Sequence, residues 1–267
     1  TQMGGLNSTD VSQLTVAQLA VLSPTQMAAL SIGAIAGLNA EQLAALTTTQ
    51  LGGLTAQTVT AFAQTQLGAL SAAQIGAVSA TAIKGLAETQ IAGLTTAQLA
   101  GLTATQMAGF STVQMHSLTA GQIGALSGAQ LSSLAAAQFG ALTPTAAAGL
   151  TQNQLGTLTA TQIKGLSAAA LSELTEGQFA GLDATQMAAL TTAQVGGLTR
   201  TDVSELTSTQ LAALAPTQLA ALAPSALTGL RTDQIAALTM TQIRGFSAQG
   251  IAALMDTQLE ALTDAQV

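Results

Sequence analysis

Leu94-Thr95-Thr96-Ala97-Gln98-Leu99-Ala100-Gly101 is followed without a gap by Leu102-Thr103-Ala104-Thr105-Gln106-Met107-Ala108-Gly109, and the same eight-residue pattern runs the length of the chain. With Leu94 as slot 1 and Gln98 as slot 5, slot 1 falls at Leu6, Leu14, Leu22 and every eighth residue to Leu262. All 33 of these positions are apolar, being Leu except at Phe62, Val78, Phe110 and Phe246. Slot 6, from Met3 to Val267, is apolar at all 34 of its positions, with Ala147 the smallest. A fixed short period without insertions excludes a conventional single-core domain and points to a repeat array.

One continuous helix does not fit. At 3.6 residues per turn a period of eight makes each slot-1 residue drift by about 80°, so the apolar stripe would wind around the rod. A β-solenoid fits poorly as well, because slots 1 and 6 lie five apart and would face opposite sides of a strand. Ala, Gln, Leu and Met outnumber the β-branched and aromatic residues, which favours helix.

The polar slots set the register. Slot 2 is Ser, Thr, Asn or Asp in 26 of 33 octads, and slot 5 is Gln in 25 of 34. Ser/Thr-x-x-Gln is a capping box: the hydroxyl accepts from the N3 amide and the Gln side chain accepts from the N-cap amide. Slots 1 and 6 then become N′ and N4, the partners of a hydrophobic staple. All four prolines, Pro24, Pro144, Pro216 and Pro224, fall in slot 3, which is N1, where a missing amide costs nothing. Nine of the twelve acids lie in slots 2 to 5, and Lys84, Lys164 and Arg244 lie in slot 7, as a helix dipole favours. Arg200 and Arg231 run against this trend.

These slots predict an all-α solenoid with one short helix per octad, over roughly slots 3 to 8, and a sharp turn at slot 1. Gly, Ala and Ser in slots 7 and 8 permit close backbone approach and a tight helix exit. A helix this short is unstable alone, so stability belongs to the array. Residues 1–267 read as one continuous solenoid, expected to be elongated and to be a segment of a longer chain or a polymer subunit. Slot 5 departs from Gln at Asp10, Ala34, Thr58 and Ala82, and again at Asp202, Ala226 and Gly250, in steps of 24. Three octads per superhelical turn explain that rhythm; so does duplication of whole octads, since Thr9-Asp10-Val11-Ser12 recurs as Thr201-Asp202-Val203-Ser204. Ala146 and Ala170 are out of phase.

Composition narrows function. Charged residues make up 6% of the chain and hydrophobic ones 48%, with a mean hydropathy of +0.48. Two readings follow: self-association that covers part of the exterior, or a Thr, Ser and Gln surface that is soluble without charge. A net charge of -7 with five basic residues and no Trp or Tyr argues against nucleic acid. No apolar run of about 20 residues exists to span a membrane. Absent cysteine fits an extracellular location without establishing it.

No residue reads as catalytic, cofactor-binding or metal-ligating. His116 stands alone in slot 7, at a helix C-terminal end that favours a surface His. Asp10 and Asp202 replace Gln and read as acceptors at their own helix starts. Glu173 and Glu176 straddle a turn as solvated charge, and Asp256, Glu260 and Asp264 lack calcium-loop spacing. Five of the seven Met (Met3, Met27, Met107, Met115 and Met187) are slot-6 core, as the five Phe are staple residues. A Thr ladder presented to ice or carbohydrate competes with the capping role of the slot-2 hydroxyls.

The Leu-Thr-x-x-Gln-Leu/Ile/Met-x-Ala/Gly octads, clearest over 94–134, resemble repeat tracts of very large bacterial surface or secreted proteins described as adhesin-like. The resemblance implies an extracellular or cell-surface structural protein, a fibre, filament or adhesin stalk, without enzymatic activity and with copies of itself as partners. The alternative is a non-catalytic scaffold whose Thr/Gln-rich face binds carbohydrate, ice or a protein. Some such proteins are described as haem-related, and one His with no Cys or Tyr gives that label no support.

Overall fold

The computed structural model describes residues 2–266. Val267, in slot 6, and the side chain of Gln2 lie outside what it describes. A short 3-10 turn at Gln2–Gly5 precedes helices numbered in chain order from α1 (Ser8–Ser12) to α32 (Asp256–Glu260), one per octad. There is no strand among the described residues. Most helices are five residues long and occupy slots 3 to 7, one residue shorter at the exit than the sequence suggests, while others run to four or six.

Each helix begins as the capping register requires. In α12 (Thr96–Ala100) the N-cap Thr95 is extended (φ -68°, ψ 156°), its Oγ1 accepts from Gln98 N at 3.2 Å, and Gln98 Oε1 accepts from Thr95 N at 3.0 Å. Pro24, Pro144, Pro216 and Pro224 each open their helix. Where slot 2 is Ala and slot 5 is Gln, half of the box survives: Gln66 Oε1 still accepts from Ala63 N at 2.8 Å, while Gln66 N turns to the Ala63 carbonyl at 3.0 Å.

Exit is by tightening, without a left-handed cap. Gly101 N donates to the Gln98 carbonyl and Leu102 N to the Leu99 carbonyl, both at 3.1 Å, and no described residue has positive φ. Slots 1 and 2 are then extended and turn the corner, as Leu46 (φ -62°, ψ 134°) and Thr47 (φ -73°, ψ 155°) show.

The chain divides into two compact units, Thr1–Leu134 and Ala135–Val267. Within the first, α9 (Ala72–Ala77) lies against α6 (Thr48–Gly52) on one side and α12 on the other. Within the second, α20 (Ala160–Gly165) lies in the same way between α17 (Ala136–Gly140) and α23 (Ala184–Ala189). Every substantial helix-to-helix contact joins helices three apart, so each unit winds three octads per turn. The steps of 24 in slot 5 therefore stack along single columns, Asp10 to Ala82 in the first unit and Asp202 to Gly250 in the second.

Slots 1 and 6 build the core of each unit. Leu99 is fully buried and Leu102 nearly so, Phe139 and Phe179 fill slot 6, and Met27, Met107, Met115 and Met187 are buried with them, while Met3 is half-buried. Met240 and Met255, in slots 3 and 2, are exposed.

The small residues of slot 8 serve packing between turns, not backbone freedom. A Cβ on Gly101 would collide with the main chain of Ala72, in slot 3 of the turn before, its carbonyl oxygen first and its Cα at 3.0 Å. Gly121, inside α15 (Ala120–Gly124), has nothing within 4 Å. Gly101→Ala is expected to destabilise the protein by about 1–3 kcal/mol, and Gly121→Ala to stabilise it by about 0.5–1 kcal/mol. Urea denaturation of the two variants checks the opposite signs.

Candidate functional site

The uncharged-surface reading and the Thr/Gln-rich scaffold alternative both place the slot-5 glutamines outside, and the structure buries most of them. Gln98 and Gln106 are almost inaccessible, as are most of their equivalents. Gln98 Oε1 closes its own capping box, and Gln98 Nε2 points across to the preceding turn, donating to the Leu67 carbonyl at 2.8 Å and the Leu70 carbonyl at 2.7 Å. Leu67 ends the apolar part of α8 (Gln64–Gly68), and Leu70 is the corner after it. One carboxamide thus caps the start of one helix and the end of another.

The arrangement repeats through each unit. Gln50 Nε2 donates to Leu19 O at 2.7 Å and Leu22 O at 3.0 Å, and Gln194 Nε2 to Ile163 O at 2.9 Å and Leu166 O at 2.7 Å. The slot-6 carbonyl uses both lone pairs, since Leu67 O also accepts from Leu70 N at 3.1 Å. Only one amide orientation fits, with oxygen toward an N–H and nitrogen toward two carbonyls. No buried side-chain nitrogen or oxygen among the described residues lacks a partner.

Part of the chain is similar to a known repeat. Residues 91–128 match the ALTTAQ repeat family. The match covers about a seventh of the chain, and the octads on either side keep the same spacing of apolar and polar slots with exceptions such as Ala82 and Ala146 in slot 5. Ala189-Leu190-Thr191-Thr192-Ala193-Gln194, beyond the matched stretch, spells the name in full. No curated protein matches the chain. In an ALTTAQ octad the second Thr and the following Ala are exposed, and the first Thr and the Gln are the two halves of the box.

The other singled-out residues lie in separate helix ends and corners, with Glu176 and Asp202 both near Glu205. His116 is exposed at the end of α14 (Thr112–His116). Asp10 Oδ2 accepts from Asn7 N at 2.9 Å and Asp202 Oδ2 from Thr199 N at 2.6 Å, each closing its own capping box. Glu173, Glu176, Asp256, Glu260 and Asp264 are exposed. No group of three or more His, Cys, Asp or Glu among the described residues could hold a metal ion.

Two features lay outside the sequence reading. Arg231, in slot 2 where a hydroxyl belongs, sends its guanidinium to the Ser204 carbonyl near the end of α25 (Arg200–Glu205) and to Asp233 at 3.2 Å. It does from the next turn what a slot-7 cation does from its own helix end. That hydrogen bond, and the charge behind it, hold the Asp233 carboxyl below the usual range. Glu205, in slot 8, is pushed up by desolvation and by the nearby Glu176 and Asp202 carboxylates.

Substitutions at Gln98 separate its two roles. Gln98→Ala leaves the Thr95 N–H without its acceptor, the Leu70 carbonyl without its donor and the Leu67 carbonyl with one donor of two, and about 1–3 kcal/mol of destabilisation is expected. Gln98→Glu keeps the acceptor but sets a buried carboxylate against two carbonyls, so at neutral pH it should cost more than Ala, and less in acid where the protonated form can donate. Thr95→Ala should cost the least, about 0.5–1 kcal/mol. Denaturation midpoints at pH 4 and pH 7 test this order. Because the folded-state pKa of Glu205 is raised, ionisation weakens the fold as pH rises through it; Glu205→Gln should raise the melting temperature slightly at pH 7, with the gain vanishing on acidification. Calorimetry across that range reads it.

Proposed function

We propose that this chain is a non-catalytic structural repeat tract that self-associates into an extracellular fibre, filament or adhesin stalk. The observation that carries this reading is how the polar groups are distributed. The Gln amides and the apolar slots are consumed between successive turns, and what faces outward is Thr, Ala, Ser and Gly with few charges. A surface this low in charge has little to hold copies apart. No described helix is long and apolar enough to cross a membrane.

The burial of Gln also narrows the scaffold alternative, since a repeated binding face would be a Thr face, not a Thr/Gln one. Purified protein without ligand is expected to form concentration-dependent assemblies, visible by light scattering and as filaments in negative stain. A strictly monomeric protein that gives clear hits on a glycan array would overturn this reading in favour of a binding scaffold.

A further inference from the structure

We propose that the junction between α4 (Ile32–Ala36) and α7 (Ala56–Thr60) is a built-in hinge, the place where the first unit opens before any other. The helices are three apart and stack as neighbouring turns. At the two flanking corners the turns are tied by amides: Gln50 Nε2 to Leu19 O and Leu22 O, and Gln66 Nε2 to Ile35 O at 3.1 Å and Leu38 O at 2.7 Å. At the corner between them slot 5 is Thr58. Its buried hydroxyl accepts from Thr55 N and donates to Thr55 O, both at 2.9 Å, so its hydrogen bonds stay inside its own turn.

The junctions before and after on this column lack Gln too, at Ala34 and Ala82, yet each has a substitute. Ser31 Oγ donates to Leu6 O at 2.9 Å, and the Thr60 hydroxyl donates to the Gly85 carbonyl. Among the described residues no side chain bridges α4 and α7 in this way. Packing differs in the same sense. Gly37 and Gly85, in slot 8, press so close to the main chain of Ser8 and Ala56 that neither has room for a Cβ. The equivalent pair at the hinge is Ala61 against Ile32. Ile32 is 58% exposed, and a shallow apolar dent lined by Ile32, Gln57, Thr60 and Ala61 lies between the two helices. Opening there breaks no cross-turn side-chain hydrogen bond at this corner, while the two amide-tied corners act as the pivot.

Hydrogen exchange on the full chain, read by mass spectrometry, tests the hinge. Amides of α4 and α7 should exchange about ten-fold faster than those of α12 and α15, and faster than those of α2 (Val16–Ala20) and α5 (Ala40–Ala45), which lie on a neighbouring corner. Thr58→Gln should slow them toward the α12 rate. Gln106→Thr moves the hinge: Thr keeps the capping acceptor, as Thr58 does, and removes only the cross-turn donor, so α10 (Ala80–Ile83) and α13 (Ala104–Ala108) should gain about ten-fold in exchange. Should Thr58→Gln fail to fold, Gln106→Thr decides. Exchange that rises smoothly toward α1 with no local maximum at α4 and α7, or an unchanged rate in Gln106→Thr, overturns the proposal.

Discussion

A five-residue helix is nearly all ends. Its first amides and last carbonyls have no partners within it, and a conventional helix leaves those groups to water or to caps at each terminus. Here the ends are packed inside, so each must be satisfied by protein. The slot-5 carboxamide does this twice over, accepting from the N-cap amide of its own helix and donating to the carbonyls that close a helix in the turn before. Asn would be a methylene too short to reach from one turn to the next. Glu would supply the acceptor and lack the donor. An amide of this length at this position satisfies both ends at once.

Cooperativity follows from where those bonds run. Backbone hydrogen bonds in α12 close locally, from Leu99 N to Thr95 O at 3.0 Å and from Leu102 N to Leu99 O at 3.1 Å, and by themselves they join nothing. The Gln98 amide and the interleaved slot-1 and slot-6 side chains couple α12 to its neighbours, which makes stability a property of adjacent turns. Rigidity then varies from place to place with the residue in slot 5 and the bulk at slots 8 and 3, which is why Thr58 and the Ala61–Ile32 pair can soften one junction while the octad pattern stays intact.

Much of this was legible in the sequence. The hydroxyl-x-x-Gln spacing, prolines confined to slot 3 and the apolar pair at slots 1 and 6 place every helix start, because each rests on local chemistry that a one-dimensional pattern records. Three octads per turn was foreshadowed by the exceptions at Ala34, Thr58 and Ala82, which the contacts between helices three apart now explain. The second bond of Gln was hidden, since its partners lie 28 and 31 residues away. A signal existed nonetheless: a capping box accepts Glu as readily as Gln, yet none of the 34 slot-5 residues is Glu. Arg231 looked misplaced for a related reason, its carbonyl partner being in another turn. The slot-8 glycines read as permitting close backbone approach and a tight helix exit; the approach is to the main chain of a neighbouring turn, Gly101 against Ala72, a partner that no local pattern names.

The same geometry bears on why the exterior carries so little charge. Slots 3, 4 and 7 face solvent, and the structure admits charge there without disturbance: Glu88 in slot 3, Glu41 in slot 4, and Lys84 and Lys164 in slot 7 are all exposed at helix ends whose dipoles suit them. The fold therefore does not impose neutrality. Charge is costly in slots 5 and 8, where Asp202 is buried and Glu205 is pushed up beside Glu176, but three outward slots in every octad could carry Lys or Glu and mostly carry Thr and Ala instead. Helix propensity favours Ala over most residues there, and does not favour Thr over Lys or Glu. The self-association proposed for this chain would favour both Ala and Thr, because every charge placed there would have to be desolvated or matched when two such surfaces close.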